Sequence, residues 1–221
     1  MTWPSDMEYA YRYLTQAEVR FLEAAVEILI PTDELGPGAR DAGVAPFIDG
    51  QLASGWGQHG RQYRSGPWME GTPQQGWQSP LTPQELYRLA IRETNIACTA
   101  QHGKVFNFLP VPVQTEIVQA LESGALELPS VSSALFFSLL HRNTLEGFFA
   151  DPMYGGNRDK VGWRLIGFPG VAAADYNEHL LQHNQSYRVE PVSILDLVQD
   201  EARADSQGYA RHIPLHLEPK A

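Results

Sequence analysis

Two stretches of this sequence carry the same four-residue signal for the start of an α-helix. Each has a threonine followed three positions later by a glutamate, at Thr15–Glu18 and at Thr82–Glu85. In such a capping box the threonine hydroxyl accepts a free backbone amide, and the glutamate carboxylate accepts the amide of the threonine. Apolar residues follow both signals at helical spacing, and Pro31 marks the end of the first run. The sequence therefore predicts two amphipathic helices at these positions.

Two more helices are predicted further along the chain. One runs from Val113 to Glu122 and ends before Gly124, a residue type that commonly terminates helices. The other begins near Ser130, and its run of leucine and phenylalanine places it at the centre of a bundle. The side of the second capped helix that we expect to be buried consists of Leu86, Leu89, Ala90, Ile96 and Ala97.

The fold class follows from this helical pattern and from the stretches between the helices. No alternation of apolar and polar residues is long enough to predict a sheet. Residues 50–80 hold three tryptophans among many Gly, Gln, Ser and Pro residues, and residues 151–170 hold five glycines. We therefore predict a mainly α, single-domain irregular helical bundle with long aromatic- and glycine-rich loops. Its expected parts are an N-terminal extension over 1–13, a helical domain over 14–195 and a C-terminal tail over 196–221.

The charge of the chain excludes several classes of partner. The formal net charge is −10 and no run of basic residues occurs, which disfavours binding to nucleic acid and to anionic lipid.

No stretch approaches the ~20 apolar residues of a membrane-spanning helix. The first eight residues have neither a basic region nor an apolar run, so the sequence predicts no signal peptide in this chain.

The single cysteine, Cys98, excludes an internal disulfide and any metal or iron–sulfur site built from several cysteines. Two states remain open for it. A lone cysteine on a helix is commonly a buried thiol. In an oxidising compartment it can instead form an intersubunit disulfide with a partner.

Candidate catalytic residues are few. His179 and His183 lie four apart, so on a helix they would share one face, as metal ligands do. A metalloprotease helix needs a glutamate directly after the first histidine, and this chain has Leu180 there. A free-standing metal-dependent enzyme that uses this pair therefore stays an alternative. No nucleophile, base and oxyanion donor occur together, so we predict no catalytic, cofactor-binding or metal-binding residues in this chain.

One long segment carries a family resemblance. The run from Glu146 to Gly170, EGFFADPMYGGNRDKVGWRLIGFPG, resembles the signature of the gluconate 2-dehydrogenase subunit 3 family. The runs LIPTD at 29–33 and GPGAR at 36–40 fit the same family. The resemblance extends over most of the chain, from about residue 14 to residue 194. We call the loop-like part of the long run, residues 151–170, the signature segment.

The resemblance implies a function that composition cannot show. Such small subunits bind and stabilise a large FAD-containing subunit that oxidises gluconate or a related sugar or polyol, and they help its export. A multihaem cytochrome c subunit passes the electrons on, so FAD and haem c are expected in partner subunits and no cofactor in this chain. The implied location is the periplasmic face of the bacterial inner membrane, or the cytoplasm if the complex is never exported. A stand-alone binding protein that shares only the fold is a further alternative.

The signature segment is also the predicted partner interface. Glycines allow close approach of two backbones, and aromatic and arginine side chains dominate the binding energy of interfaces. The alternative for Trp163 and Phe168 is that they pack the segment onto the bundle. The predicted interface residues are Tyr154, Gly155, Gly156, Asn157, Arg158, Trp163 and Phe168.

Overall fold

The structure is a computed structural model that describes residues 9–60, 62, 64–69, 71–75, 78–171, 184 and 187–198. Within these residues there is no β-strand, and only two isolated β-bridges occur. The predicted mainly α fold is confirmed. The described part contains seven α-helices, which are α1 Gln16–Leu29, α2 Val44–Leu52, α3 Pro83–His102, α4 Val111–Glu122, α5 Ser133–Phe149, α6 Val161–Ile166 and α7 Ile194–Val198. Four short 3-10 helices lie at Pro73–Gln75, Phe106–Phe108, Pro152–Tyr154 and Arg158–Lys160.

Both predicted capping boxes are present. The Thr15 amide donates to the Glu18 carboxylate at 2.7 Å, and the Glu18 amide donates back to the threonine hydroxyl. The Thr82 amide donates to Glu85 at the same distance. These bonds lower the pKa of the Glu85 carboxyl, because they stabilise its charged form. The sequence signals therefore locate the starts of α1 and α3 correctly.

Helix α5 lies at the centre of the bundle, as its apolar sequence predicts. It contacts α1, α2, α3, α4 and α6. Phe136 of α5 is fully buried and meets the Tyr87 ring edge-on, with the ring centroids 5.5 Å apart. The Tyr87 hydroxyl is buried too, and it donates a hydrogen bond of 2.9 Å to the side-chain oxygen of Asn143. The hydrogen bond between these two groups offsets the cost of removing them from water.

The buried side of α3 differs from the prediction. Ile96 was expected in the core, but its side chain is 61 % exposed. Leu86 and Ala90 are buried as predicted, and the buried side continues through Ile91 and Cys98. The prediction failed for Ile96 because α3 carries apolar residues on two faces, and only one of them packs against the bundle.

Helix α2 was not predicted, and it holds a buried carboxylate. Asp49 is completely buried within α2. It accepts the backbone amides of Arg12 at 2.8 Å, Tyr13 at 2.9 Å and Leu14 at 2.8 Å, and the Tyr9 hydroxyl at 3.2 Å. Three amide donors compensate a buried charge well. Asp49 therefore fixes the segment before α1 to the bundle.

The signature segment is more regular than the sequence suggests. The sequence predicts a loop over residues 151–170, but they contain two 3-10 helices and the short helix α6. No helix in the described ranges has both the length and the apolar character needed to cross a membrane.

Candidate functional site

Glycines hold the signature segment directly against the end of α5. A Cβ atom on Gly156 would lie 2.2 Å from the carbonyl oxygen of Gly147, and one on Gly162 would lie 2.2 Å from that of Phe148. A Cβ on Gly147 would lie 2.8 Å from the Phe47 ring of α2. A larger residue at Gly156 or Gly162 would require a backbone shift, and one at Gly147 would require the Phe47 ring to move. These three glycines therefore form the contact between α2, α5 and the segment.

Asn157 links the C-terminal end of α5 to the start of α6. Its side chain is fully buried. The side-chain nitrogen donates to the carbonyl of Ala150, and the side-chain oxygen accepts the amide of Gly162, both at 2.9 Å. Its own amide donates to the carbonyl of Gly147 at 2.9 Å. Asn157 was predicted as an interface residue, but in this structure it has an internal role and presents no surface.

Trp163 also faces inward. It is 5 % exposed, and its indole nitrogen donates a hydrogen bond of 2.8 Å to the carbonyl oxygen of Phe149. The Phe168 ring meets it edge-on, with the centroids 5.2 Å apart. This geometry fits the packing interpretation of Trp163. Phe168 differs, because 44 % of its side chain stays exposed.

The backbone between Gly155 and Lys160 is strained. Gly155, Asn157, Asp159 and Lys160 have φ angles of 95°, 46°, 55° and 56°. Non-glycine residues in this left-handed region each cost on the order of 1–3 kcal/mol, so they persist only where the surroundings impose them. The bonds of Asn157 supply part of that constraint. Strain of this kind is typical of functional segments.

Lys160 ties the strained turn to the chain near α7. Its Nζ lies 2.6 Å from the Asp196 carboxylate and donates to the carbonyl of Pro191 at 3.0 Å. Burial raises the pKa of Asp196, but the hydrogen bonds from Lys160 and Ser193 outweigh it, so the net pKa is lowered. Asp196 therefore stays ionised at neutral pH and holds the lysine in place.

Exposed apolar side chains form an apolar rim on and beside the segment that holds the buried residues Gly156, Asn157 and Trp163, which we call the buried frame. Tyr154 is 55 % exposed, and Phe168 is exposed as described above. Asp151 brings Met153 and Ile194 together, because its two carboxylate oxygens accept the amides of these two residues. Six of the twelve large apolar residues exposed in the described part belong to this apolar rim. They are Met153, Tyr154, Leu165, Ile166, Phe168 and Ile194.

Arg158 adds a cation near the apolar rim. Its amide donates to the carbonyl of Ala42 at 2.9 Å, which anchors the residue to the turn before α2. Its side chain is exposed, and its guanidinium passes close to Gly43. Among the predicted interface residues, Tyr154, Arg158 and Phe168 therefore reach the surface, while Gly156, Asn157 and Trp163 are buried.

Sequence reasoning missed four members of the apolar rim, namely Met153, Leu165, Ile166 and Ile194. Apolar residues beside aromatic ones are expected in a core, so no sequence signal separated these four from buried residues. Only the packing of α6 shows that Leu165 and Ile166 point away from Trp163.

Cys98 lies inside the bundle. It is 2 % exposed, and burial raises the pKa of its thiol to about 11. A disulfide with a partner would require α3 to open locally, because thiol–disulfide exchange needs an accessible thiolate. The intersubunit disulfide stays a prediction, and the geometry favours a buried thiol.

The described residues offer no metal site. Nowhere in them do three His, Cys, Asp or Glu side chains come close enough together to hold a metal ion. His179 and His183 lie outside the described residues. The metal-enzyme alternative therefore gains no support from this part of the chain.

Comparison with known proteins identifies the family. A family model described as gluconate 2-dehydrogenase subunit 3 matches residues 16–170 of the 221-residue chain. Searches of curated proteins and of solved structures found no match. The matched region includes α1 to α6 and the whole buried frame of the signature segment. This chain belongs to the gluconate 2-dehydrogenase subunit 3 family.

Proposed function

We propose that this chain is a non-catalytic small subunit that binds and stabilises the FAD-containing catalytic subunit of a membrane-bound, gluconate 2-dehydrogenase-like complex. Membership of a family described as a dehydrogenase subunit supports a role inside an assembly. In this proposal the catalytic subunit holds FAD, and a multihaem cytochrome c subunit holds haem c. The complex works at the periplasmic face of the inner membrane, and the small subunit helps the catalytic subunit to be exported.

The apolar rim is the observation that carries this proposal. Single exposed apolar residues are normal on any protein surface, but a concentration of them marks an interaction site. Here half of the large exposed apolar side chains in the described part fall on one segment and on the residue hydrogen-bonded to it, Ile194. Tyr154 and Arg158 add the two residue types that most often anchor interfaces.

The buried frame supports the proposal, because it would lower the entropy cost of binding. Ordering a flexible loop on binding costs about 0.5–1.5 kcal/mol for each immobilised side chain. Gly156, Asn157 and Trp163 already fix the backbone of the segment before any partner arrives. The apolar rim is therefore presented in one conformation. The predicted interface thus has two layers, a buried layer that shapes it and an exposed layer that makes contact.

Co-expression with the flavin subunit from the same genome tests the proposal. The untagged small subunit should elute with the tagged flavin subunit in gel filtration, and Tyr154→Ala should weaken that association because it removes a half-exposed anchor. A matched control is Leu35→Ala, which truncates an exposed apolar side chain outside the signature segment. Separate elution of the unsubstituted chains would contradict the proposed function.

A further inference from the structure

A second apolar surface lies far along the chain from the signature segment. A groove of about 670 Å³ runs between α1 and α3. Its α3 wall consists of residues that recur every three or four positions from Arg88 to Ala100, so it is one continuous face of the helix. It includes Ile96, which the sequence analysis placed in the core and which is 61 % exposed.

We infer that this groove binds an amphipathic α-helix of the flavin subunit, with its apolar face inward and carboxylates along one edge. The inference rests on the proposed function and adds the second contact surface and the chemistry of its occupant. The floor and walls that would receive the apolar face include Ile91, Ile96 and Val105.

The polar groups of the groove decide between a helix and an extended segment. The two neutral ones on the α3 wall, Asn95 and Thr99, make hydrogen bonds within this chain. Asn95 accepts the amide of Phe106 at 3.0 Å through its side chain, and Thr99 donates its hydroxyl to the carbonyl of Asn95 at 2.8 Å. An extended peptide would bury backbone amides and carbonyls here without partners, which is costly. A helix satisfies its own backbone, so it fits this groove.

The dimensions agree with a helical occupant. The wall from Arg88 to Ala100 spans twelve residue steps, or about 18 Å of helix. That length accommodates roughly three turns of a second helix, which is the usual size of a helix-in-groove contact. Ala17 on α1 and Ala100 on α3 are small, so neither wall blocks a close approach.

The charges of the groove select carboxylates on the occupant. Arg88 and Arg92 keep 49 % and 61 % of their side chains exposed. Their acidic partners expose much less, with 11 % for Glu18 at 3.1 Å from Arg88 and 6 % for Glu93 at 3.6 Å from Arg92. The charge that meets solvent at the groove is therefore positive, on a chain whose net charge is −10. Complementary acidic residues would set the register and speed the association of the incoming helix.

Variants of exposed residues test the groove without touching the core. Ile96→Asp places a charge on the apolar wall, and we expect it to weaken binding to purified flavin subunit about tenfold or more in surface plasmon resonance. The matched control is Leu35→Asp, the same change at an exposed leucine beyond the other end of α1. It should leave binding unchanged. Arg92→Glu should slow association and reduce its dependence on salt.

Photo-crosslinking gives a readout that does not depend on the stability of a variant. A benzophenone amino acid in place of Ile96 should crosslink to a helix-forming, carboxylate-bearing segment of the flavin subunit in the intact complex. Crosslinking to a second copy of this chain, or full-strength binding by Ile96→Asp, would overturn the groove assignment and leave the proposed function standing. Failure of the unsubstituted chain to bind the flavin subunit would overturn both.

Discussion

The indole nitrogen of Trp163 donates a hydrogen bond of 2.8 Å to the carbonyl oxygen of Phe149, the last residue of α5. This bond connects the signature segment to the central helix of the bundle. It also assigns Trp163 to the buried layer of the predicted interface, because the same side chain is almost completely buried.

Replacing Trp163 therefore should destabilise the isolated chain. We expect Trp163→Ala to lower the free energy of unfolding by on the order of 3–5 kcal/mol, since it leaves a cavity and an unpaired carbonyl. Denaturant unfolding of the free subunit measures this. Phe168→Ala is the control, and its exposed ring predicts a clearly smaller loss. Equal, small losses for both variants would contradict the packing of Trp163.

A methyl group on Gly156 tests the contact between the segment and α5. Its Cβ would lie 2.2 Å from a backbone oxygen, so Gly156→Ala should cost on the order of 1–3 kcal/mol through forced backbone shifts. Gly55→Ala is the matched control, because a Cβ at Gly55 meets no atom within 4 Å. The two melting curves should separate, with only Gly156→Ala shifted to lower temperature.

Asp49 should contribute strongly to the stability of the fold, although no sequence motif marks it. Asp49→Asn removes the charge that three backbone amides share and turns a donor toward them. We expect a loss on the order of 2–3 kcal/mol in unfolding experiments. Asp41→Asn changes an exposed carboxylate and should stay within about 0.5 kcal/mol of the unsubstituted chain. A neutral Asp49→Asn would contradict the anchoring of residues 9–14.

The thiol of Cys98 should be unreactive in the native chain. Burial raises its pKa to about 11, so at pH 8 only about one thiol in a thousand is ionised. Unfolding exposes the thiol and returns its pKa to near 8.5, so its labelling should become rapid. Because the thiol pKa is higher in the folded chain than in the unfolded chain, a stabilising contribution is present below about pH 8.5. It is lost as the pH rises from about 8.5 toward about 11, where the unfolded chain releases the thiol proton first. Dithionitrobenzoate titration with and without denaturant checks this, and fast native labelling at pH 8 would contradict it.

Much of the helical framework could be predicted from sequence. The capping boxes at Thr15 and Thr82 are local, since all their bonds lie within four residues, and both appear as expected. Helix α2 was missed because it lacks such a signal. Its N-cap is Gly43, which makes no side-chain bond. Asp49 was missed as well, because its partners lie more than thirty residues away.

For a similar reason, the sequence predicts where the candidate site lies but not which of its side chains are exposed. The residue types of the signature segment indicate an interface, but they do not show which side chains face inward. Trp163 and Phe168 are both aromatic and five residues apart, yet one is buried and the other half-exposed. Ile96 shows the reverse case, an apolar residue at helical spacing that faces solvent. Burial depends on the tertiary position of each helix, which local spacing cannot supply.

The stability of the flavin subunit tests the central claim most directly. The catalytic subunit should be purified after expression with and without this chain, and its bound flavin and dye-reducing activity followed over time at 37 °C. We predict co-elution of the two chains and markedly slower loss of flavin and activity when this chain is present, because a ligand of the native state stabilises it. Equal flavin retention in both preparations, together with separate elution of the two chains, would contradict the account.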